Sequence, residues 1–132
     1  MRPNSKLFQS YAFRKRVSNM NDFPKFMTES ENSIASKQQS SGVRGWVYDG
    51  VDGKQMAYWI CEIDGISKEH VHEFDEYFTV LQGMYTLIID GQRIEICKGD
   101  EYFIPKNVPH AGEFKAGTRT IHCFGGKRAE RA

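Results

Sequence analysis

A chain of 132 residues with 18 Lys and Arg against 17 Asp and Glu has room for one domain with its own core, and too little for two of ordinary size. Its formal net charge of +1 lacks the cationic excess of a nucleic-acid or anionic-membrane binder, and no run approaches the roughly 18 apolar residues that read as a membrane span. Cys61, Cys97 and Cys123 are odd in number and widely spaced, with no CxxC pair and no apolar leader, so the sequence predicts free thiols and a cytoplasmic location.

Residues 1–42 form a polar arm. Residues 1–39 hold seven Lys/Arg against three Asp/Glu, and residues 40–132 eleven against fourteen, so a basic arm precedes a mildly acidic body and is expected to lie on it or on a partner subunit. Its aromatics (Phe8, Tyr11, Phe13, Phe23, Phe26) are scattered, and "SENSIASKQQSSG" reads as a linker or loop. The basic run "FRKRV", Phe13 to Val17, could touch phosphate, but no aromatic-basic platform accompanies it, and a short charged run is usually a solvated face.

From Val43 the texture changes to short runs rich in β-branched and aromatic residues: "GVRGWVYDG", "KQMAYWICEIDG", "EYFTVLQG", "MYTLIIDGQRIEICKGD", "EYFIPKNVPHAGEF" and "TRTIHCF". Short strands at such spacing predict an all-β sandwich or small barrel over residues 43–125, with residues 126–132 as a tail. Asp90-Gly91, between "TLII" and "RIEI", predicts a tight hairpin, because a type I′ turn needs positive φ at both central residues. No internal repeat suggests a solenoid or propeller.

Within "HVHEFDEYFTVLQG", His70 and His72 project to one side of an extended chain, with Cα atoms roughly 6.5 Å apart. Two imidazoles at that separation can converge on one ion. Glu76 lies at an even offset and would face the same way if the chain stays extended or turns once and re-enters, and His110 in "PKNVPHAG" is a candidate fourth ligand. Three neutral nitrogens and one carboxylate oxygen suit Zn, Fe, Mn, Ni, Co or Cu rather than Ca or Mg. The competing reading is a solvated acidic loop with an accidental histidine pair.

These residues resemble the cupin superfamily. Its first motif is matched by Gly65, His70, His72, Glu76 and Gly83, with four residues rather than five between Gly65 and His70. Its second is matched by Gly99, Pro105 and His110, with Asn107 where the family has Gly and Phe114 where it has a trailing Asn. Asn tolerates the left-handed conformation better than most residues. The resemblance implies a double-stranded β-helix, a small jelly-roll-like antiparallel barrel, in which His70, His72, Glu76 and His110 hold a divalent transition metal. It also implies a homodimer.

Alternation places Ala57, Trp59, Cys61 and Ile63 on one apolar side of their strand, with Tyr58 and Glu62 on the other. Trp59 and Cys61 are therefore candidates for the pocket wall or for ordinary core. Phe78 and Val80 continue the side of Glu76, and Phe78 is a further pocket candidate. His122 is the one histidine outside the motifs, a candidate for a proton shuttle, a residue behind the ligands, or a hydrogen-bonded core histidine. Tyr85 and Tyr102 could orient a substrate, and nothing beside Cys61 or Cys123 in sequence makes a nucleophile of either.

The expected function is a metalloenzyme acting on a small polar organic molecule, of dioxygenase, isomerase or decarboxylase type, with Glu76 as ligand and possible base. The alternatives are a non-catalytic sensor or carrier using the same pocket and, more weakly, a structural metal site in a dimer.

Overall fold

The computed structural model describes residues 21–132, so Phe8, Tyr11, Phe13 and the basic run to Val17 lie outside the described residues. Beyond single 3-10 turns at Lys25–Met27, Ser30–Asn32, Ser36–Gln38 and Val51–Gly53, the described chain is strand and loop. The strands are β1 (Val43–Asp49), β2 (Gln55–Cys61), β3 (Gly65–Ile66), β4 (Glu76–Gln82), β5 (Met84–Ile89), β6 (Gln92–Cys97), β7 (Glu101–Ile104), β8 (His110–Phe114) and β9 (Thr118–Phe124).

They form two sheets, β1-β2-β9-β4-β7 and β3-β8-β5-β6, with antiparallel pairing throughout. This is the all-β antiparallel architecture the sequence predicts. Asp90 (φ 51°) and Gly91 (φ 73°) turn the chain between β5 and β6, with Ile89 opposite Gln92. Asn107 takes φ 65°, the left-handed conformation expected of it. Gly83 is required twice: its φ is +80°, and a Cβ there would meet Thr118 Oγ1 at 2.4 Å. That hydroxyl bonds both the amide and the carbonyl of Met84.

Side-chain alternation divides the interior into two parts. Phe78, Val80, Leu87, Ile89, Ile96 and Ile104 fill one end, each worth about 1.5 to 3 kcal/mol in apolar surface withdrawn from water. The other end holds the site. Cys61 is buried as expected, but β2 ends there, and Ile63 emerges half-exposed at 49%.

Tyr58 does face away from the interior, yet it is fully buried, because residues 21–27 cover the outer side of the five-stranded sheet. Phe23 packs on Trp46, Tyr58 and Ile60, with its ring 4.8 Å from that of Tyr58 and the Arg119 guanidinium 5.0 Å from its centroid. The Tyr58 hydroxyl donates to the Met27 carbonyl and that of Tyr48 to Phe26 at 3.2 Å. The described part of the arm thus lies on its own barrel.

The C-terminal segment is fixed as well. Gln55 Oε1 accepts the amides of Arg128 (2.7 Å) and Ala129 (2.9 Å), and Gln55 Nε2 donates to Ala129 O and to Asp49. Ile34 bridges Arg131, whose guanidinium binds Asp49, Asn32 and the Val47 carbonyl. Tail and arm therefore complete one wall of the barrel.

Candidate metal centre and pocket

Three short segments meet at the open end of the barrel. His70 and His110 are joined by reciprocal backbone bonds of 2.9 Å, an isolated bridge rather than a strand. The Asn107 amide donates to His72 O, tying the first histidine segment to the left-handed turn of the second. The chain then bends at Glu73 and Phe74 and re-enters as β4, whose first residue is Glu76. His110 is likewise the first residue of β8. Two of the four ligand candidates thus begin strands, and the other two sit in the segment just before β4, tied by backbone bonds to His110 and Asn107.

The ligand atoms of His70, His72 and His110 lie within 4.8 Å of one another. Glu76 Oε1 is 3.5 Å from His72 Nε2 and 3.4 Å from His110 Nε2. Donors about 2.0 to 2.1 Å from a common ion are separated by roughly 3.0 to 3.4 Å when adjacent; the Glu76 contacts lie close to that spacing, and the histidine nitrogens would draw together on a shared cation. The tautomers agree: His70 Nδ1–H donates to Lys68 O at 2.8 Å and His110 Nδ1–H to Val108 O at 2.9 Å, which turns the lone pair of each Nε2 into the cluster. His72 Nε2, His110 Nε2 and Glu76 Oε1 are buried without a hydrogen-bond partner. Such atoms are costly to bury unsatisfied, and facing acceptors are satisfied together by a cation. The residues therefore fit a divalent transition metal.

Charge follows the same geometry. Burial alone would raise the Glu76 carboxyl, but the imidazoles of His110, His122 and His72 outweigh it and hold Glu76 well below the usual carboxylate range. Burial lowers His70, against its bond to Lys68, with His110 and His72 adding to the depression. Burial also acts downward on His110, but the adjacent Glu76 brings it out raised.

His122 lies behind the ligands. Its Nδ1–H donates to Glu76 Oε2 at 2.8 Å, and its Nε2 is 3.0 Å from Thr120 Oγ1, whose hydroxyl donates to it. The ring stacks on Phe78 (4.8 Å, 12°) and Phe124 (5.9 Å, 11°), with Trp59 edge-on at 4.9 Å. Phe78, a pocket candidate from the sequence, is instead fully buried beneath His122 and does not reach the cavity wall.

The cavity has a volume of about 620 Å³, and Trp59, Cys61, His70, His72, Glu76 and His122 all line it. Burial pushes the Cys61 thiol up to about 12, so it is a packing group rather than a nucleophile. Tyr85 also lines the cavity, its phenol raised by burial and by Glu76. Tyr102 packs instead against the core at the opposite end.

Sequence reasoning missed several contributors to the wall, among them Lys68, Phe114 and Phe124. Residues 37–41 of the presumed linker form one side, where Gln39 Oε1 accepts the Trp59 indole N–H at 3.2 Å. Thr120 and Arg128 contribute from β9 and the tail. For Thr120 the signal was present, since it lies two residues before His122 on a predicted strand and so shares its face.

A model of the cupin domain family matches residues 58–123. Among solved structures, an RmlC-like cupin from Shewanella frigidimarina superposes with a TM-score of 0.63 at 18% identity, over 80% of this chain and 93% of that one. A cupin superfamily protein from Desulfitobacterium hafniense gives 0.59 at 19% identity, over 64% and 78%. A salicylate 1,2-dioxygenase from Pseudaminobacter salicylatoxidans gives 0.60 at 14% identity, over 64% of this chain and 26% of that one. At these identities the likeness is one of fold. No curated protein sequence matches the chain.

Proposed function

The chain belongs to the cupin domain family, and from that premise we propose that it is a metal-dependent cupin enzyme acting on a small polar organic molecule. The observation that carries this reading is the convergence of three buried, unpartnered acceptor atoms, His72 Nε2, His110 Nε2 and Glu76 Oε1, beside a cavity large enough for a substrate. His70, His72, His110 and Glu76 would hold the metal. When bound, it would supply Lewis-acid activation of a substrate oxygen or a site for oxygen chemistry.

The remaining work falls to the protein. Trp59 and Phe124 line the cavity and exclude water from it. Glu76 Oε2 is the base nearest the cluster, and the Thr120 hydroxyl donates to His122 and His122 to that oxygen, which orients the carboxylate and keeps it an acceptor, as a base must be. The reaction classes that suit such a site are dioxygenation, isomerisation and decarboxylation, and the dioxygenase among the structural neighbours lends the first some weight. An inward base in contact with a second titratable group favours an enzyme over a sensor or carrier.

Pairing with a second copy belongs to the same proposal. Met56 opposite Cys123, Cys123 opposite Tyr77 and Tyr77 opposite Phe103 form an exposed row across four strands, and a contiguous apolar patch suits subunit contact. No helix among the described residues is long and apolar enough to cross a membrane. We place the protein in the cytoplasm, on the strength of its unpaired cysteines.

The test is elemental analysis of untagged protein purified without added metal, beside a His72→Ala, Glu76→Ala double variant. Stoichiometric iron, manganese, nickel, cobalt, copper or zinc that vanishes in the variant is the expected result. Metal-free wild type after anaerobic reconstitution would defeat the reading.

A further inference from the structure

The other arginines among the described residues have partners: Arg44 pairs with Glu62, Arg93 with Glu113 and Arg131 with Asp49, while Arg119 bonds Gln82. Arg128 differs. Its amide is held by Gln55 at 2.7 Å, and Ala129 beside it is almost wholly buried at 1% exposure. Its guanidinium projects into the cavity 5.9 Å from the Trp59 ring centroid. Among the described residues no carboxylate pairs with it. A guanidinium stays charged, and holding it on a fixed backbone beside an aromatic wall without a counter-ion leaves its fork of donors for something else.

The charge around the cavity points the same way. Lys37 and Lys68 stand with Arg128 on the lining, and Glu76 is its one carboxylate, an oxygen pair committed to the cluster and to His122. Arg128 lines the same cavity as His70, His72 and Glu76, so its guanidinium and the cluster face one space. Trp59, Phe114 and Phe124 give the same cavity flat apolar faces.

We infer that Arg128 is the carboxylate-recognising residue of this site, and that the substrate is a small organic acid on a flat, unsaturated or aromatic frame. The acid group meets Arg128 in a two-point, charge-assisted contact. The frame lies along Trp59, and its far end reaches His70, His72, Glu76 and His110. This names the substrate class for the proposed function and rests on its cavity.

Matched acid and amide probes test the inference by ligand-observed NMR and titration calorimetry: benzoate against benzamide, and cinnamate against cinnamamide. Wild type, Arg128→Gln and Arg128→Lys are each measured zinc-loaded and metal-free, with metal content and thermal melting recorded alongside. In wild type at least one acid should bind about tenfold or more tighter than its amide, in the metal-free form as well. Arg128→Gln should abolish that preference with metal content unchanged, and Arg128→Lys should keep part of it. The assignment is overturned if wild type shows no acid preference, or if the preference survives in Arg128→Gln. Should wild type hold no metal while Arg128 still governs acid binding, the metalloenzyme reading fails and this one stands.

Discussion

Replacing His122 by Phe isolates the group behind the ligands. The new side chain keeps a flat ring between Phe78 and Phe124, so packing is largely preserved, while the 2.8 Å bond to Glu76 Oε2 and the 3.0 Å contact with Thr120 are lost. Glu76 then has no partner fixing which oxygen faces His72 and His110. Loss of an outer hydrogen bond to a metal ligand lowers metal affinity about 10- to 100-fold, equivalent to about 1.4 to 2.8 kcal/mol. Stabilisation by saturating metal falls by the same amount, and in a chain of this length that is roughly 4 to 13 °C of the metal-induced rise in Tm. The assay is zinc competition against a chromogenic chelator, with melting curves of loaded and metal-free protein. A Kd within twofold of wild type, at unchanged stoichiometry, would refute the idea that His122 positions Glu76.

Three further outcomes are expected. Gly112→Ala places a Cβ 1.9 Å from the Tyr85 hydroxyl oxygen. Overpacking of that kind costs about 1 to 3 kcal/mol in urea unfolding, and Tyr85→Ala in the same chain should make the two changes non-additive. Phe23→Ala removes a ring buried among Trp46, Tyr58 and Ile60 and should cost about 3 kcal/mol while altering Trp46 fluorescence; a surface-like effect below about 0.5 kcal/mol would mean residues 21–27 are not part of the core. In native protein iodoacetamide should modify Cys97, which is exposed, and spare Cys61, whose thiol is buried and pushed up to about 12. Mass spectrometry should show Cys61 labelled only after unfolding.

What could be read in the sequence was what repeats locally. The Asp90-Gly91 turn, the alternation along β2 and β4, and the spacing of His70, His72 and Glu76 all lie within a few residues of one another, where the period of a strand carries the information. What escaped depends on which strands become neighbours. His122 meets Glu76 because β4 pairs with β9 and sets Phe78 opposite His122, a register settled by long-range packing. Arg128 reaches the cavity because Gln55, far earlier in the chain, holds its amide. The stretch from Lys37 to Ser41 reads as a polar linker because polarity is all that composition reports, yet its Gln39 is a hydrogen-bond partner for a buried indole. Tyr58 reads as outward-facing, which it is, but nothing local announces that Phe23 would cover it.

The separation of His70 from His72 by Val71 alone also matters when the protein is not folded. Those two imidazoles remain neighbours in a denatured chain, with Glu76 four residues on, whereas His110 comes to them only after the chain has closed a long loop. A denatured molecule can therefore still capture zinc or copper with part of a site. Ions bound to that fragment stabilise the wrong end of the folding equilibrium and lower the protection that native affinity would predict. Refolding should accordingly recover more protein when metal is withheld until the barrel has formed.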